Sequence, residues 1–377
     1  MTIKSLHGLI TFGHQQFVDK VTNQYQGYFD FTHQFQSSKS RNDYTSERLK
    51  EYVTWLSCSV SYERVVEIVH RNTAVNLLSD QKIQQLVVEK ALEISQFEEH
   101  QNKSFEDIAI KVSSEVDLYD KEVKEIALFE DGILVRGQKE KRAKRHEKTE
   151  NQADKKTWQE TDACILECKN GLYRYLIGGI ESEINSHQSL ASTVKRAINE
   201  EYGENVEKLN IVAITDGAKK IRKDFLHIFG ISIVIILDWY HLRKKMKELM
   251  SMIAQSKEEK QLHLNYIRKH CWEGEVYKAI IYLQTQVKPK NALKHKELIG
   301  YLEKHKEEII NYKKRKSIGK TIGSGRMESG VNQVVGKRQK SKGMSWSKKG
   351  NKALAILQVQ KLNNNWNKLW NFYKNAA

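Results

Sequence analysis

The sequence predicts an α/β protein: a mixed sheet broken by an all-helical insertion and preceded by an N-terminal helical region. Three observations predict it. Short branched apolar runs at 125–135, 162–167, 172–177, Ile211–Thr215 and 231–237 are bounded by polar or glycine turns, as strands are. Helix-length segments separate the last of these runs, so that the final strands follow one another as βα units. Beyond Asp238 the sheet pattern stops, and helical periodicity runs on with Pro289 as its one proline. The resulting division is 1–120, an N-terminal helical region and linker; 121–241, the sheet; 242–315, the helical insertion; and 316–377, a completing segment with a C-terminal helix.

Composition narrows the partners. The 377 residues carry 63 Lys and Arg against 47 Asp and Glu, a formal charge of +16. Such an excess points to a polyanion, nucleic acid or an anionic membrane. No apolar run is long enough to span a bilayer, and MTIKSLHGLI lacks the basic-then-apolar order of a signal peptide. Cys58, Cys164, Cys168 and Cys271 make no disulfide framework, which suits a reducing cytosol. Cys164 and Cys168 form a CxxxC without a second ligand pair nearby, so they read as core thiols and not as a zinc site.

In chain order, an amphipathic segment at 44–58 opens the helical region. At 61–93, Tyr62, Val65, Ile68 and Val69 form one helical face and 71–78 a connector. Ser79 then caps a helix bearing Ile83, Leu86, Val87 and Ala91. Two helices with a tight join suit a helix-turn-helix, whose second helix would offer Gln84 and Gln85 to base edges; a plain helical hairpin has the same pattern. Residues 94–120 read as an acidic linker, and the lysine-rich tract 137–156 as a solvated loop able to track phosphates.

Next comes the order strand, strand, strand, helix (187–202), strand, helix, strand. Three antiparallel strands followed by parallel βα units is the order of the RNase H-like fold, in which the first strand lies beside the strand after the first helix. Asp131 of the first run and Asp216, which ends Ile211–Thr215, would then face each other. Paired carboxylates repel unless cations bridge them, and a two-metal site needs ions about 3.5–4 Å apart. A lone aspartate at a strand end is more simply a turn or N-cap residue, and Asp238 is expected to cap the next helix with His241 on its face.

The segment 313–342 is the densest basic stretch. Gly319-Lys320-Thr321 resembles the end of a P-loop, but Lys314 stands where that motif needs glycine and no strand precedes it. What remains is a Gly323-Ser324-Gly325 turn leading to Glu328, among Lys313, Lys314, Arg315, Lys320, Arg326, Lys337, Arg338, Lys340 and Lys342. These cations are expected to form a phosphate-binding rim, since unpaired buried charge is costly. The tail, with Leu354, Leu357, Leu362, Trp366 and Trp370 near helical spacing, is a packing face.

TDGAKKI, LDWYH, IGSGRMESGVNQVVGKR and KGMSWSKKG resemble the blocks of bacterial DDE transposases of the ISKra4-like insertion sequences, over roughly 125 to 375. The resemblance implies an RNase H-like catalytic core and a catalytic, metal-binding triad of Asp131, Asp216 and Glu328. It also assigns Asp238 and His241 to a D/C-x-x-H signature near that triad. Implied with these are two Mg2+ or Mn2+ ions, double-stranded DNA at the element's ends and target, and a homodimer or higher oligomer on DNA in the bacterial cytoplasm. Strand cleavage and transfer is the expected reaction. A nuclease or resolvase without transfer, and a transposase-derived DNA-binding protein without catalysis, stay open as alternatives.

Overall fold

The computed structural model describes residues 2–11, 16–18, 20–22, 25–27, 44–105, 108–138, 158–180, 186–203, 208–325, 329–330 and 332–370. Most of the lysine-rich tract, together with Arg326 and Glu328, lies outside them. The chain divides into two compact units. One comprises 1–95, 135–157 and 335–377, and the other 96–134 and 158–334. The borders therefore fall elsewhere than the sequence suggests.

The first unit opens with short strands: β1 (Thr2–Ser5), β2 (Gly8–Thr11), β3 (Gln16–Val18), β4 (Tyr25–Gly27) and β5 (Tyr44–Thr45). β1 pairs antiparallel with β2 and parallel with β5, so this region is not purely helical. Strands this short carry too little apolar alternation to stand out in a polar sequence. Three helices follow: α1 (Glu47–Ser57), α2 (Tyr62–Thr73) and α3 (Asp80–Lys103). The hydroxyls of Ser46, Ser61 and Ser79 accept from Leu49, Arg64 and Lys82 N–H groups, satisfying donors that a helix start leaves free. Leu49, Val53, Val65, Val69, Ile83 and Leu86 close a small core among them.

The second unit holds a five-stranded mixed sheet of β6 (Ile126–Arg136, which runs on into the first unit), β7 (Trp158–Glu167), β8 (Tyr173–Ile177), β9 (Ile211–Thr215) and β10 (Val234–Leu237). Their spatial order is β10-β9-β6-β7-β8, with β6, β9 and β10 parallel and β7 antiparallel to β8. Period-two alternation sends successive side chains to opposite faces. Leu128, Cys164, Leu166, Ile211 and Ala213 pack under α4 (Ser186–Tyr202) and α5 (Lys219–Phe229). Ala127, Phe129, Ile165, Val212 and Ile214 face the other way, onto α6 (Trp239–Ile253), α7 (Lys257–Trp272), α8 (Val276–Gln286), α9 (Ala292–Lys304) and α10 (Tyr312–Ser317). The sheet is thus the middle layer of three.

Two expectations change here. The helices beyond Asp238 share one apolar core with the sheet, from Phe129 and Ile214 through Leu264 and Leu298, so they are no separate body. The run 94–120 is not simply a linker. It carries the end of α3, where Asn102 Nδ2 donates to Thr193 Oγ1 (3.1 Å), and Val112 enters the core beside Leu209. Among the described residues no helix is long and apolar enough to cross a membrane. All four cysteines are free, and Cys58, Cys164 and Cys271 are buried.

Candidate active site

The parallel register places Phe129 of β6 beside Ile214 of β9. Asp131 and Asp216 each lie two residues further on, at corresponding positions of strands about 4.8 Å apart, and parity assigns both to the face of Phe129 and Ile214. Asp216 is half-buried just beyond β9. Its Oδ1 accepts from Ala218 N–H (2.8 Å), which turns the chain into α5; among the described residues nothing donates to Oδ2. Gly217 has φ +86°, a left-handed value favouring glycine. A Cβ there would come within 2.9 Å of both His305 Cε1 and Leu237 Cδ1.

The end of α9 rests on this turn. Lys304 Nζ donates to Gly217 O (3.3 Å), and the His305 ring lies against Gly217. His305 is 1% exposed; its Nδ1 is 2.6 Å from Glu308 Oε2, whose other oxygen meets Arg222 at 2.6 Å. Burial, with the Asp216, Glu308 and Asp238 charges adding, raises the Tyr301 phenol above its usual range. None of Arg222, Tyr301, Lys304, His305 and Glu308 stands out in the sequence. His305 sits in an ordinary charged helical run, and only the packing of α9 onto β9 and β10 gives it a neighbour.

Asp238 is the best-satisfied acid of the edge. It is 1% exposed, and it caps α6 through Oδ1 with Tyr240 N–H (2.5 Å) and His241 N–H (3.0 Å). Oδ2 accepts from the amide (2.5 Å) and hydroxyl of Ser324, the centre of the glycine turn. Four donors occupy the carboxylate, so besides the expected cap of α6 it fixes the Ser324 turn. His241 is half-buried beside it, with Nδ1 buried and unpartnered among the described residues.

Parity carries Glu130 to the opposite face from Asp131. Glu130 is 4% exposed, and burial, helped by the charges of Asp224 and Asp162 and opposed by Lys220, pushes its pKa up to about 9. Lys220 Nζ bridges Asp162 Oδ1 and Oδ2 (2.7 and 2.8 Å) and Glu160 Oε2 (3.3 Å). Gly132 keeps that space open, since its Cβ would fall 2.4 Å from Glu160 Oε1. The signal for Glu130 was in plain view, one residue before Asp131 in a strand.

The expected basic rim separates into two kinds of cation. Arg315 is 2% exposed and makes a bidentate pair with Glu125 (2.9 and 2.6 Å), while Lys320 Nζ reaches the same carboxylate at 2.6 Å. Lys313 pairs with Glu273 (3.0 Å). Arg338 is 7% exposed; its guanidinium lies 4.8 Å from the Trp346 ring centre and 5.6 Å from that of Tyr62, and Nε donates to Ser57 O (3.1 Å). Lys320 and Arg338 are therefore corrected from phosphate contacts to structural cations, because a neutralised or desolvated charge is not available to a phosphate. Lys337, Lys340 and Lys342 are exposed. On α3, Gln85 is exposed and bonds Glu89 (2.7 Å). Gln84, by contrast, is half-buried toward Gly350 of α12 (Lys348–Leu362), the helix that follows the three-residue α11 (Lys337–Gln339), and is corrected as an exposed reader. Away from this edge His270, Glu273 and Glu275 lie together, but Lys278 and Lys313 already neutralise the two acids.

Comparison with curated proteins finds no match. A solved structure described as "Crystal structure of a pre-cleavage Mos1 transpososome" is similar at 10% identity and a TM-score of 0.18, over 74% of this chain and 77% of that one. A likeness of that size carries no argument. The family comparison covers nearly the whole sequence: residues 1–370 match the model of UPF0236, an uncharacterised protein family, and the chain belongs to that family.

Proposed function

We propose that this protein is a DDE-type transposase, a polynucleotidyl transferase that cleaves DNA at the ends of an insertion sequence and transfers the strands. One observation carries the reading. Asp131 of β6 and Asp216, one residue past the end of β9, each follow the in-register pair Phe129 and Ile214 by two residues, in a sheet ordered β10-β9-β6-β7-β8. With β6 counted first, this order has the first strand beside the strand that follows the first helix, as in the RNase H-like fold. The motif resemblance to ISKra4-like transposases supports the same assignment.

The donor set suits a hard divalent cation: two rigidly based carboxylates, one of them with an oxygen to which no described residue donates. Asp131, Asp216 and, from the sequence pattern, Glu328 would hold two Mg2+ or Mn2+ ions. Such ions activate an attacking water or 3′-hydroxyl and stabilise the leaving oxygen. The protein's own part is positioning. Ala218 N–H and the His305 wall orient Asp216; Asp238 anchors Ser324, four residues before Glu328. Gly330, two residues beyond Glu328, lies against Ile165 and Tyr175, side chains that pack on the face of Phe129 and Ile214. His241 stands at the same edge, steering the strand or its ligands.

DNA recognition is assigned to the first unit, with α2 and α3 as a helix-turn-helix offering Gln85, and with Lys337, Lys340 and Lys342 contacting phosphates; Arg326, which belongs to the second unit, is assigned a phosphate contact as well. The active form on duplex DNA is a homodimer or higher oligomer. The test is calorimetric Mn2+ binding beside strand cleavage and transfer on DNA carrying the element's terminal repeats. Asp131→Asn and Asp216→Asn should each lose both metal binding and cleavage. Unchanged Mn2+ binding in both variants would remove the reading.

A further inference from the structure

The first turn of α6 leaves one large aromatic side chain outside the core. Asp238 N–H donates to Thr215 O (2.7 Å), the carbonyl just before Asp216, and Trp239 N–H donates to Ile322 O (3.1 Å). With the Ser324 bonds to Asp238, these lay residues 322–324 along 238–240. Trp239 turns into the core and Tyr240 turns out, 52% exposed. One edge of the Tyr240 ring rests on Gly323. A Cβ there would fall 2.5 Å from Cδ2 and 2.8 Å from Cε2, so any side chain at this position would unseat the ring. Among the described residues the Tyr240 hydroxyl has no hydrogen-bond partner and the ring has no aromatic or cationic neighbour.

Tyr240 heads a stripe. At about 100° per residue, positions i, i+3, i+4 and i+7 share one helix face. Tyr240, Arg243, Lys244 and Lys247 occupy them, and all four are exposed. Leu242, Met246, Leu249 and Met250 fill the core on the other side. From the Asp216–Asp238 edge the stripe runs about 10 Å along α6, at about 1.5 Å per residue. Lys245, on its flank, has an acid to meet: it shares Glu297 with Lys294 (2.9 and 2.7 Å). Among the described residues no carboxylate pairs with Arg243, Lys244 or Lys247, although Glu248 is exposed on the same helix. A half-exposed ring followed by unneutralised cations matches one polyanion well. Every unpaired base carries a free π-face, and base–aromatic stacking is tolerant of sequence. Within an intact duplex the bases are already stacked on each other, so duplex DNA offers the cations its phosphates and leaves the ring uncovered.

We infer that Tyr240 and the Arg243–Lys244–Lys247 stripe form a track for single-stranded DNA. An unpaired base stacks on Tyr240 at the edge, and the phosphates that follow it run along α6. The inference deepens the transposase reading and rests on it for the identity of the strand, the one freed from the duplex beside the scissile bond. It also relocates phosphate binding: part of the affinity expected of Lys320 and Arg338, which are committed elsewhere, falls to this stripe.

The experiment uses the full chain in EDTA, so that binding is read without metal chemistry. Affinity is measured for a labelled duplex with a short single-stranded thymine extension and for the blunt duplex of the same sequence. Wild type and Tyr240→Phe should prefer the extended probe by about 10-fold. Tyr240→Leu keeps an apolar side chain on Gly323 and the N–H that Asp238 caps, but has no π-face; it should lose the preference and bind the blunt duplex as wild type does. On the extended probe, Arg243→Gln and Lys244→Gln should each shallow the slope of log affinity against log salt by about 0.7, the value for one single-strand phosphate. Lys257→Gln, a charge control at the start of α7, should leave that slope unchanged. A preference that survives Tyr240→Leu, or an equal loss on both probes, would overturn the inference, and so would slopes that the Arg243 and Lys244 variants leave unaltered. Asp216→Asn should keep the wild-type preference in EDTA. Failure of the metal and cleavage test would thus remove the transposase chemistry and leave the strand track standing, whereas failure of the Tyr240 test removes the track alone.

Discussion

Asp238 offers the sharpest test of how the edge is built. Replacing it with Ala removes the cap of α6, worth about 1 kcal/mol and up to about 2. It also strands the amide of Ser324, a residue 6% exposed whose N–H and O–H both donate to Oδ2. Leaving such a donor unpaired costs about 1–3 kcal/mol. The sum is about 2–5 kcal/mol, which for a body of this size lowers the melting temperature by roughly 5–15 °C. Asp238→Asn is the finer probe. Its amide oxygen can still cap Tyr240 and His241, but its NH2 then confronts the Ser324 N–H, donor against donor. It should lose the Ser324 part, about 1–3 kcal/mol, and keep the cap. Calorimetric unfolding of Asp238→Ala, Ser324→Ala and the double variant completes a cycle. If the carboxylate clamps Ser324, the two changes are strongly non-additive. Additivity within about 0.5 kcal/mol would refute the clamp and return Asp238 to an ordinary N-cap.

Two further outcomes follow from buried charge. Glu130, with a folded-state pKa of about 9 against an ordinary 4.5, holds its proton in the folded form where the unfolded chain has released it. Stability should therefore fall between those values as pH rises, by up to about 1.4 kcal/mol per unit, and Glu130→Gln should flatten that fall in denaturant unfolding at several pH values; parallel profiles would show an ionised Glu130. Arg338→Gln should destabilise the first unit by about 2–4 kcal/mol through the lost ring contacts and the Ser57 carbonyl left bare, with no change in the salt slope of DNA binding. Arg338→Lys should not restore it, since an ammonium cannot reproduce the stacked plane; full rescue by Lys would contradict the ring sandwich.

The strands and caps were legible in the sequence because their causes are local. The run Ile211–Thr215 is β9, and Asp238 caps α6 as its place after an apolar run suggests. Period two then assigns Asp131 and Glu130 to opposite faces once the strand is known. Where locality was weaker, boundaries moved. The run at 231–237 begins with a 3-10 turn at Gly230–Ser232 before β10, and the helical stretch around Cys271 breaks at Gly274, whose φ of +77° ends α7. What the chain could not announce is which charges meet. Arg315, Lys320 and Arg338 look like Lys337 and Lys340 in sequence, yet Arg315 finds its carboxylate 190 residues away, in Glu125. The same holds for His305 against Gly217. Sequence by itself determined the strands of the five-stranded sheet and the helix starts, because backbone preference and apolar period act over a few residues. Only the tertiary structure decided which cations were neutralised and which acids lost their water, because burial and partnership arise between segments that become neighbours by folding.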